Sequence, residues 1–409
     1  MKPITFERIK GFVDRHYNRL WMFAYKCYIP YAAKKIRRKE SIKVLFVINE
    51  LPTWKTESLY IAMLNHPRVK PILGLTLSLD YPHMKEELKK YVETKGYEYT
   101  DLDILAYNPI KDIISPDIIF YEKPYSECYH HRHTYSNHLN TLFCYANYAF
   151  NILDEEWAIG LPLIKTSWQV YYENEFSAYH RKTKVGKNAI IAGIPMQDLL
   201  IQKRKYHIDT WKYSPNTRKR IIYAPHHTIG DLHSKGIANS TFLEYGEFML
   251  DLAKRYSDRI EIAFKPHPGL YKKLEFVWGL TKTDAYYTEW AQLENAQVVT
   301  GDYVDLFMSS DAMIHDCSSF TVEYLYTGKP VMFLQREANH ADNLTELAKK
   351  AFEQHYLAKN KTDIEAFVEN VIRGIDNRKE ERDFFYQKYL LPPNGKTACE
   401  NIINSILGQ

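Results

Sequence analysis

Three short polar stretches in the second half of the chain gather residue types that bind phosphate. They are Ala224-Pro-His-His-Thr228, Phe264-Lys-Pro-His-Pro268 and Ile314-His-Asp-Cys-Ser-Ser319. Between them they offer the imidazoles of His226, His227 and His267, the cation of Lys265, the carboxylate of Asp316 and the hydroxyls of Thr228, Ser318 and Ser319. Cationic and imidazole donors neutralise a phosphate, and a helix N-terminus receives an oxyanion. Ser318 or Ser319 is placed to cap a helix that begins at Phe320, which would aim free N–H groups at such an anion. Glu323 lies one helical turn past Ser319, within reach of a ribose hydroxyl. Taken one at a time, each residue has a plainer reading. A His beside Pro is ordinarily structural, a serine merely caps, and a lone Glu is a surface charge. Their joint position at the ends of predicted strands is what points to a phosphate-rich ligand.

The elements that must position these turns follow from periodicity. Lys43–Ile48, Pro71–Leu75, Asp117–Tyr121 and Asn188–Gly193 read as strands of a first half, and the apolar, aromatic run 142–153 as the source of another. Ser58–Leu64 and Lys85–Lys95 read as helices between them. Residues 201–220 are polar and basic and read as a linker region. The pattern then restarts with strands at Arg220–Ala224, Arg259–Phe264, Gln297–Val299, Ala312–Ile314 and Val331–Leu334. Phe242, Tyr245, Met249, Leu252 and Tyr256 recur at spacings of 3, 4, 3 and 4, which predicts a helix over 241–255. Gly328 reads as a helix stop and 396–407 as a closing helix. Strands alternating with helices predict parallel sheets covered on both faces, in two consecutive doubly wound α/β domains. The expected boundaries are 1–40 for a basic amphipathic helical segment, 41–200 for a first domain, 201–390 for a second and 391–409 for the closing helix.

Composition narrows the function classes. A chain of 409 residues with 45% hydrophobic and 25% charged residues suits two globular domains. The net charge is only +4, and no basic stripe runs through the turns described above, which argues against a nucleic-acid partner. Five scattered cysteines without a CxxC pair read as free thiols, with neither a zinc site nor a disulfide frame. No secretory leader and no membrane-spanning run is expected. Residues 1–40 hold eleven Lys/Arg against three acids, interleaved with Trp21, Phe23, Tyr25, Tyr28 and Tyr31. Such a segment suits an anionic membrane surface, or an ordinary helix with a solvated basic face.

Lys265-Pro-His-Pro268, followed by Asp316-Cys-Ser-Ser-Phe320 and then Glu323-Tyr-Leu-Tyr-Thr-Gly-Lys-Pro330, resembles the CDP-glycerol glycerophosphotransferase family. These are the teichoic-acid and capsule polymerases and primases. Tyr223-Ala-Pro225 and Asn188-Ala-Ile-Ile-Ala-Gly-Ile-Pro195 are similar to further landmarks of that family. The resemblance covers roughly residues 185–340. It implies a GT-B fold, two Rossmann-like domains facing a cleft, with the nucleotide on the second. It implies a CDP-alditol donor, transfer of an alditol phosphate to an acceptor hydroxyl on a lipid-linked or oligosaccharide acceptor, CMP release, and peripheral attachment inside the plasma membrane. No cofactor beyond the donor is implied. His267 falls on the family's donor-phosphate histidine and Ser318 and Ser319 on its phosphate-binding serines.

One departure concerns the group that activates the acceptor. The family's first domain carries a His-Gly-Thr-Pro turn, and this chain lacks that tetrapeptide. After the 117–121 strand it has Glu122-Lys-Pro-Tyr-Ser-Glu-Cys-Tyr-His-His-Arg-His133, with His138 beyond. The spacing of these histidines fits no single metal-ligand pattern. His131 and His133 are candidate bases here, as is Glu50 in the turn after the first strand if burial raises its pKa. Two other functions share the same fold and phosphate turn: a glycosyltransferase using a sugar nucleotide, and a non-catalytic nucleotide-binding component of an envelope-assembly complex.

Overall fold

The computed structural model describes residues 6–104, 107–138, 140–152, 161–177, 186–212, 218–229, 240–336 and 344–409, with side chains from Leu20 onward. Its first sheet has seven parallel strands, β1 (Ile42–Ile48), β2 (Val69–Leu75), β3 (Tyr99–Asp101), β4 (Ile118–Tyr121), β5 (Leu142–Ala146), β6 (Gln169–Tyr172) and β7 (Ala189–Ile191). Their spatial order is β3-β2-β1-β4-β5-β6-β7. The second sheet has six, β8 (Lys219–Ala224), β9 (Ile260–Phe264), β10 (Ala296–Val298), β11 (Ala312–His315), β12 (Val331–Leu334) and β13 (Tyr356–Ala358). Its order is β10-β9-β8-β11-β12-β13. Both are doubly wound, so each has a switch point where chain order reverses. In the first sheet it lies between β1 and β4; in the second, between β8 and β11.

Period-two alternation builds the layers. Along β1, Val44, Phe46 and Ile48 join one core while Leu45 and Val47 join the other. Along β8, Ile221 and Tyr223 face one core and Ile222 and Ala224 face the other. Strands buried on both faces require apolar runs without alternation, which is why these segments are legible in the sequence. The 242–255 helix begins at Phe242 and buries Phe242, Tyr245, Met249 and Leu252, as its spacing predicts.

The chain crosses between domains twice. Helix Pro195–Lys205 lies in the stretch expected to end the first domain and start a linker, yet Ile194, Met196 and Leu200 pack into a core shared with β8, β11 and β12. The closing helix, Ala398–Leu407, returns to the first domain, where Cys399, Ile402, Ile403, Ile406 and Leu407 pack with β1 and β2. Asp198 fastens the crossings by accepting the N–H groups of Ala398 and Cys399, each at 2.8 Å, at that helix's N-terminus.

The basic segment forms helix Phe6–Arg37. Tyr25, Ala32, Ala33 and Ile36 are buried against the first domain, while Leu20, Phe23 and Tyr31 remain 66–71% exposed. No helix among the described residues is long and apolar enough to cross a membrane. All five cysteines are free.

Candidate functional site

Strand register brings the histidine turns together. Tyr223 pairs with Phe264, so three residues further on His226 and His267 leave the sheet side by side. Two backbone bonds extend the pairing past the strands: Lys265 N–H to Tyr223 O at 2.8 Å and His267 N–H to Pro225 O at 3.0 Å. The rings of His226, His227 and His267 then pack with centroids 4.0–4.8 Å apart. Gly269 makes room for this: a Cβ there would sit 3.3 Å from the His227 ring.

His267 has a fixed role in this cluster. Its Nδ1 accepts the N–H of Gly269 at 3.0 Å. Burial, then the neighbouring His227, His226 and Lys265, push its pKa down to about 3. The ring is therefore neutral with its proton on Nε2, a donor suited to an oxyanion. Ligand atoms of the three histidines lie within 4.8 Å of one another, a spacing a divalent ion can span. The His267 tautomer favours an anion, because Nε2 would have to shed its proton to coordinate a metal.

Asp316 supplies the frame. β11 pairs His315 with Ala224, so Asp316 leaves the sheet beside the Pro225–His226 turn at the switch point. Its Oδ1 accepts the His226 N–H at 2.5 Å. Its Oδ2 accepts the N–H and hydroxyl of Thr241 at 2.6 and 2.9 Å and the Ser240 hydroxyl at 3.1 Å. Both oxygens are occupied and the residue is fully buried. Asp316 thus clamps the histidine turn to the start of the 242–255 helix and does not face a ligand, which corrects the expectation that it contacts substrate. Thr228 is held nearby, its Oγ1 3.1 Å from His226 Nδ1.

The serine turn also departs from expectation. The α-helix after it is one turn, Phe320–Glu323, continued by a tighter turn over Tyr324–Thr327 that ends at Gly328 in the left-handed region (φ 72°). Ser319 occupies the cap position with helical backbone angles, and its side chain does not cap. Its Oγ instead lies 3.6 Å from Cys317 Sγ. The Ser318 hydroxyl bonds no other described residue. Neither serine is spent on its own helix.

Lys265 and Glu323 meet around Tyr303. Lys265 is buried, which lowers its pKa, and its Nζ lies 5.7 Å from the Tyr303 ring. The Tyr303 hydroxyl donates to Glu323 Oε2 at 2.7 Å. Burial raises Glu323 to about 7, against the pull of Tyr303 and Lys55. Glu323 is therefore an enclosed group, not a surface charge. Lys55 comes from the first domain and places its Nζ 5.1 Å from the same ring, so one cation from each domain borders Tyr303.

At the other switch point, β4 ends where Glu122, Lys123 and Glu50 gather. Glu122 Oε2 accepts the N–H groups of Asn49 (2.9 Å) and Glu50 (3.4 Å). Glu122 Oε1 is buried with no hydrogen-bond partner among the described residues, and burial drives the carboxyl up to about 8. Glu50 is likewise buried, its Oε1 taking Lys123 Nζ in an ion pair and the Ser78 hydroxyl at 2.5 Å. His131 and His133 do not join them. His131 is exposed and rests on His130, ring centroids 4.2 Å apart. His133 is wholly enclosed, its Nε2 3.4 Å from Asp103 Oδ1. His138 is buried too, with Nε2 on Arg132 O at 3.1 Å.

Sequence reasoning missed Lys55, Tyr303, Glu122, Lys123, Ser240 and Thr241. The Glu122-Lys123 pair stands in a polar turn directly after β4, a signal that was present, and Lys55 lies farther on, past the short helical turn Leu51–Thr53 that follows β1. Tyr303 carried none, since its place depends on packing between separate elements.

The fold has relatives of known structure. Two variants of the wall teichoic acid polymerase TagF superpose with TM-scores of 0.57 and 0.56 at 15% and 14% identity, covering 97% of this chain and 94% of theirs. The S. aureus MnaA–UDP structure does so at 0.55 and 16% identity, over 89% of this chain and 96% of that one. UDP-GlcNAc 2-epimerase from Neisseria meningitidis, bound to UDP-GlcNAc, gives 0.54 at 15% identity, over 90% and 100%. These likenesses fix a GT-B-like fold of two Rossmann-like domains. None of the curated proteins compared with the chain matches it. Residues 167–408, more than half of the chain, match the family described as CDP-Glycerol:Poly(glycerophosphate) glycerophosphotransferase. The chain is a transferase of the CDP-glycerol:poly(glycerophosphate) glycerophosphotransferase family.

Proposed function

We propose that the protein moves an alditol phosphate, glycerol- or ribitol-phosphate, from a CDP-alditol to an acceptor hydroxyl during synthesis of a teichoic-acid or capsule polymer, releasing CMP. The observation that carries this reading is the His226–His227–His267 cluster with Lys265 beside it, at a strand-end edge that takes ligands in doubly wound sheets. In this reading the acceptor oxygen attacks the alditol-side phosphorus. The P–O bond to CMP breaks, and the acceptor proton leaves to a base. His267, Lys265 and the hydroxyls of Ser318 and Ser319 stabilise the charge that builds on the departing phosphate. Of Glu50, His131 and His133, Glu50 is the base that fits, since it alone sits at the first domain's switch point.

Mass spectrometry of products after offering CDP-glycerol, CDP-ribitol and UDP-sugars with an oligosaccharide acceptor tests the reading. An alditol-phosphate adduct with CMP is the expected result. A glycosyl adduct with UDP would replace it with a sugar-nucleotide glycosyltransferase.

The N-terminal helix supports work at an anionic lipid surface on the cytoplasmic side. Leu20, Phe23 and Tyr31 are exposed on it, with exposed Lys34, Lys35 and Arg38 toward its end. Each such cation contributes about 1 kcal/mol near an anionic surface. Phosphatidylglycerol vesicles should therefore retain the protein at low salt, and Lys34→Glu with Lys35→Glu should weaken retention more than tenfold. Equal binding to phosphatidylcholine vesicles would refute it.

A further inference from the structure

The first domain has a second concavity that donor chemistry leaves unused. Tyr125, Tyr145, Asn147, Tyr148, Asn151 and Tyr172 line a cavity of ≈ 150 Å³. It lies at the same strand ends as Glu122: Tyr145 is the penultimate residue of β5, Tyr172 is the last of β6, and Tyr125 follows the Glu122–Lys123 turn by two residues. Tyr148 is within electrostatic reach of Glu122. That edge is where doubly wound sheets take ligands.

The lining determines what fits. Every described residue of the wall is uncharged. A phosphate or pyrophosphate entering it would lose its hydration and gain no cation from the described residues of the wall. The volume is below the ~300–1,000 Å³ of clefts that enclose drug-sized ligands, so a nucleotide is too large. Four tyrosine rings with two asparagine side chains suit a neutral polyhydroxylated ring. Its C–H face lies on an aromatic face, while its hydroxyls exchange hydrogen bonds with amides and phenols. The wall is also held in place from the second domain. Phe150, part of the same wall, packs on Tyr326 with ring centroids 5.7 Å apart, and Thr345 Oγ1 donates to Asn151 O at 2.8 Å. A wall fixed across the domain boundary costs little ordering when a ligand enters.

We infer that this cavity seats the terminal sugar ring of a neutral oligosaccharide acceptor, an inference that rests on the transferase reading above. The site would present a ring hydroxyl near the Glu50–Lys123–Glu122 cluster, leaving the charged donor to the second domain.

Saturation-transfer NMR on the full chain with methyl glycosides of neutral disaccharides tests this, with CMP affinity measured by calorimetry on the same samples. The expected result is saturation transfer to at least one glycoside. Tyr148→Ala should weaken it about tenfold or more, Tyr148→Phe should retain it, and both variants should bind CMP as the wild type does. Asn147→Ala, which removes an amide and no ring, should weaken it as well. Unchanged glycoside binding in Tyr148→Ala and Asn147→Ala would overturn the inference, as would a wild type that binds CMP and no glycoside. A wild type that binds glycosides through Tyr148 but not CMP would uphold the sugar site and refute the donor assignment.

Discussion

His267→Ala is expected to lower turnover by ~10²–10³-fold, the usual loss when one preorganised donor to a developing oxyanion is removed. Three features make His267 such a donor. Its Nδ1 is committed to the Gly269 N–H, which leaves the proton on Nε2. Its pKa, pushed down to about 3 by burial and by the two neighbouring imidazoles, keeps the ring neutral at any working pH. The extended pairing of β8 with β9 holds the turn that carries it to the His226 turn, which Asp316 fixes in place. The loss should therefore be the same from pH 5 to pH 9, since no charge on His267 titrates there. Folding should survive, because the ring is only half-buried and water can reach the freed Gly269 N–H at a cost of about 1 kcal/mol. His267→Gln, which offers an amide N–H, should recover part of the rate. Turnover, melting temperature and CMP affinity measured together separate these effects. Wild-type turnover in His267→Ala would refute the assignment.

The parts of this molecule that were legible in sequence are those fixed by short-range pattern. Apolar runs marked β1, β4, β8, β9, β11 and β12, and the polar turns after them held most of the residues of the proposed phosphate site. Short strands with mixed composition, such as β3 at Tyr99–Asp101 and β13 at Tyr356–Ala358, gave no comparable signal. The role of Asp316 was not legible either, because it depends on Ser240 and Thr241, seventy-five or more residues away along the chain. A carboxylate next to serines looks like a ligand contact until one sees that four donors from the protein already use it. His133 failed for a related reason. Between β4 and β5 the chain makes short turns instead of a helix, and they fold back so that the Tyr121 hydroxyl bonds His133 O at 2.8 Å. The fold-back leaves the His133 ring enclosed between His130 and Asp103.

Lys55 shows how the two halves become one site. It belongs to the first domain, yet it lies against Tyr303 and acts on Glu323 in the second. Tyr303 in turn carries Lys265 near its ring and Glu323 on its hydroxyl. A change in the angle between domains would therefore alter the charge balance around the proposed donor site. This coupling does not require any residue to span the cleft, because the electrostatics reach across it.

Glu122 should leave a large signature in the pH dependence of stability. In the unfolded chain its carboxyl titrates near its ordinary value of 4.5, and in the folded protein burial holds it at about 8. Between those values the native state keeps a proton that the unfolded state has shed. Its contribution to stability is therefore complete below about pH 4.5 and is lost as pH rises toward 8. At 1.36 kcal/mol per pH unit the full span is at most about 5 kcal/mol. Glu122→Gln has no proton to lose and keeps an oxygen for the Asn49 and Glu50 N–H groups. The variant should match the wild type near pH 5 and exceed it by a few kcal/mol at pH 8, measured by urea unfolding across that range. Glu323 and Lys329 also titrate in this window, so the difference between the two proteins, not either curve alone, isolates Glu122. Parallel curves would mean that Glu122 is ionised in the native state. The arrangement has a chemical logic, since two carboxyls sharing a buried site cannot both be charged without cost. Lys123 is committed to Glu50, so the shared site holds its proton on Glu122.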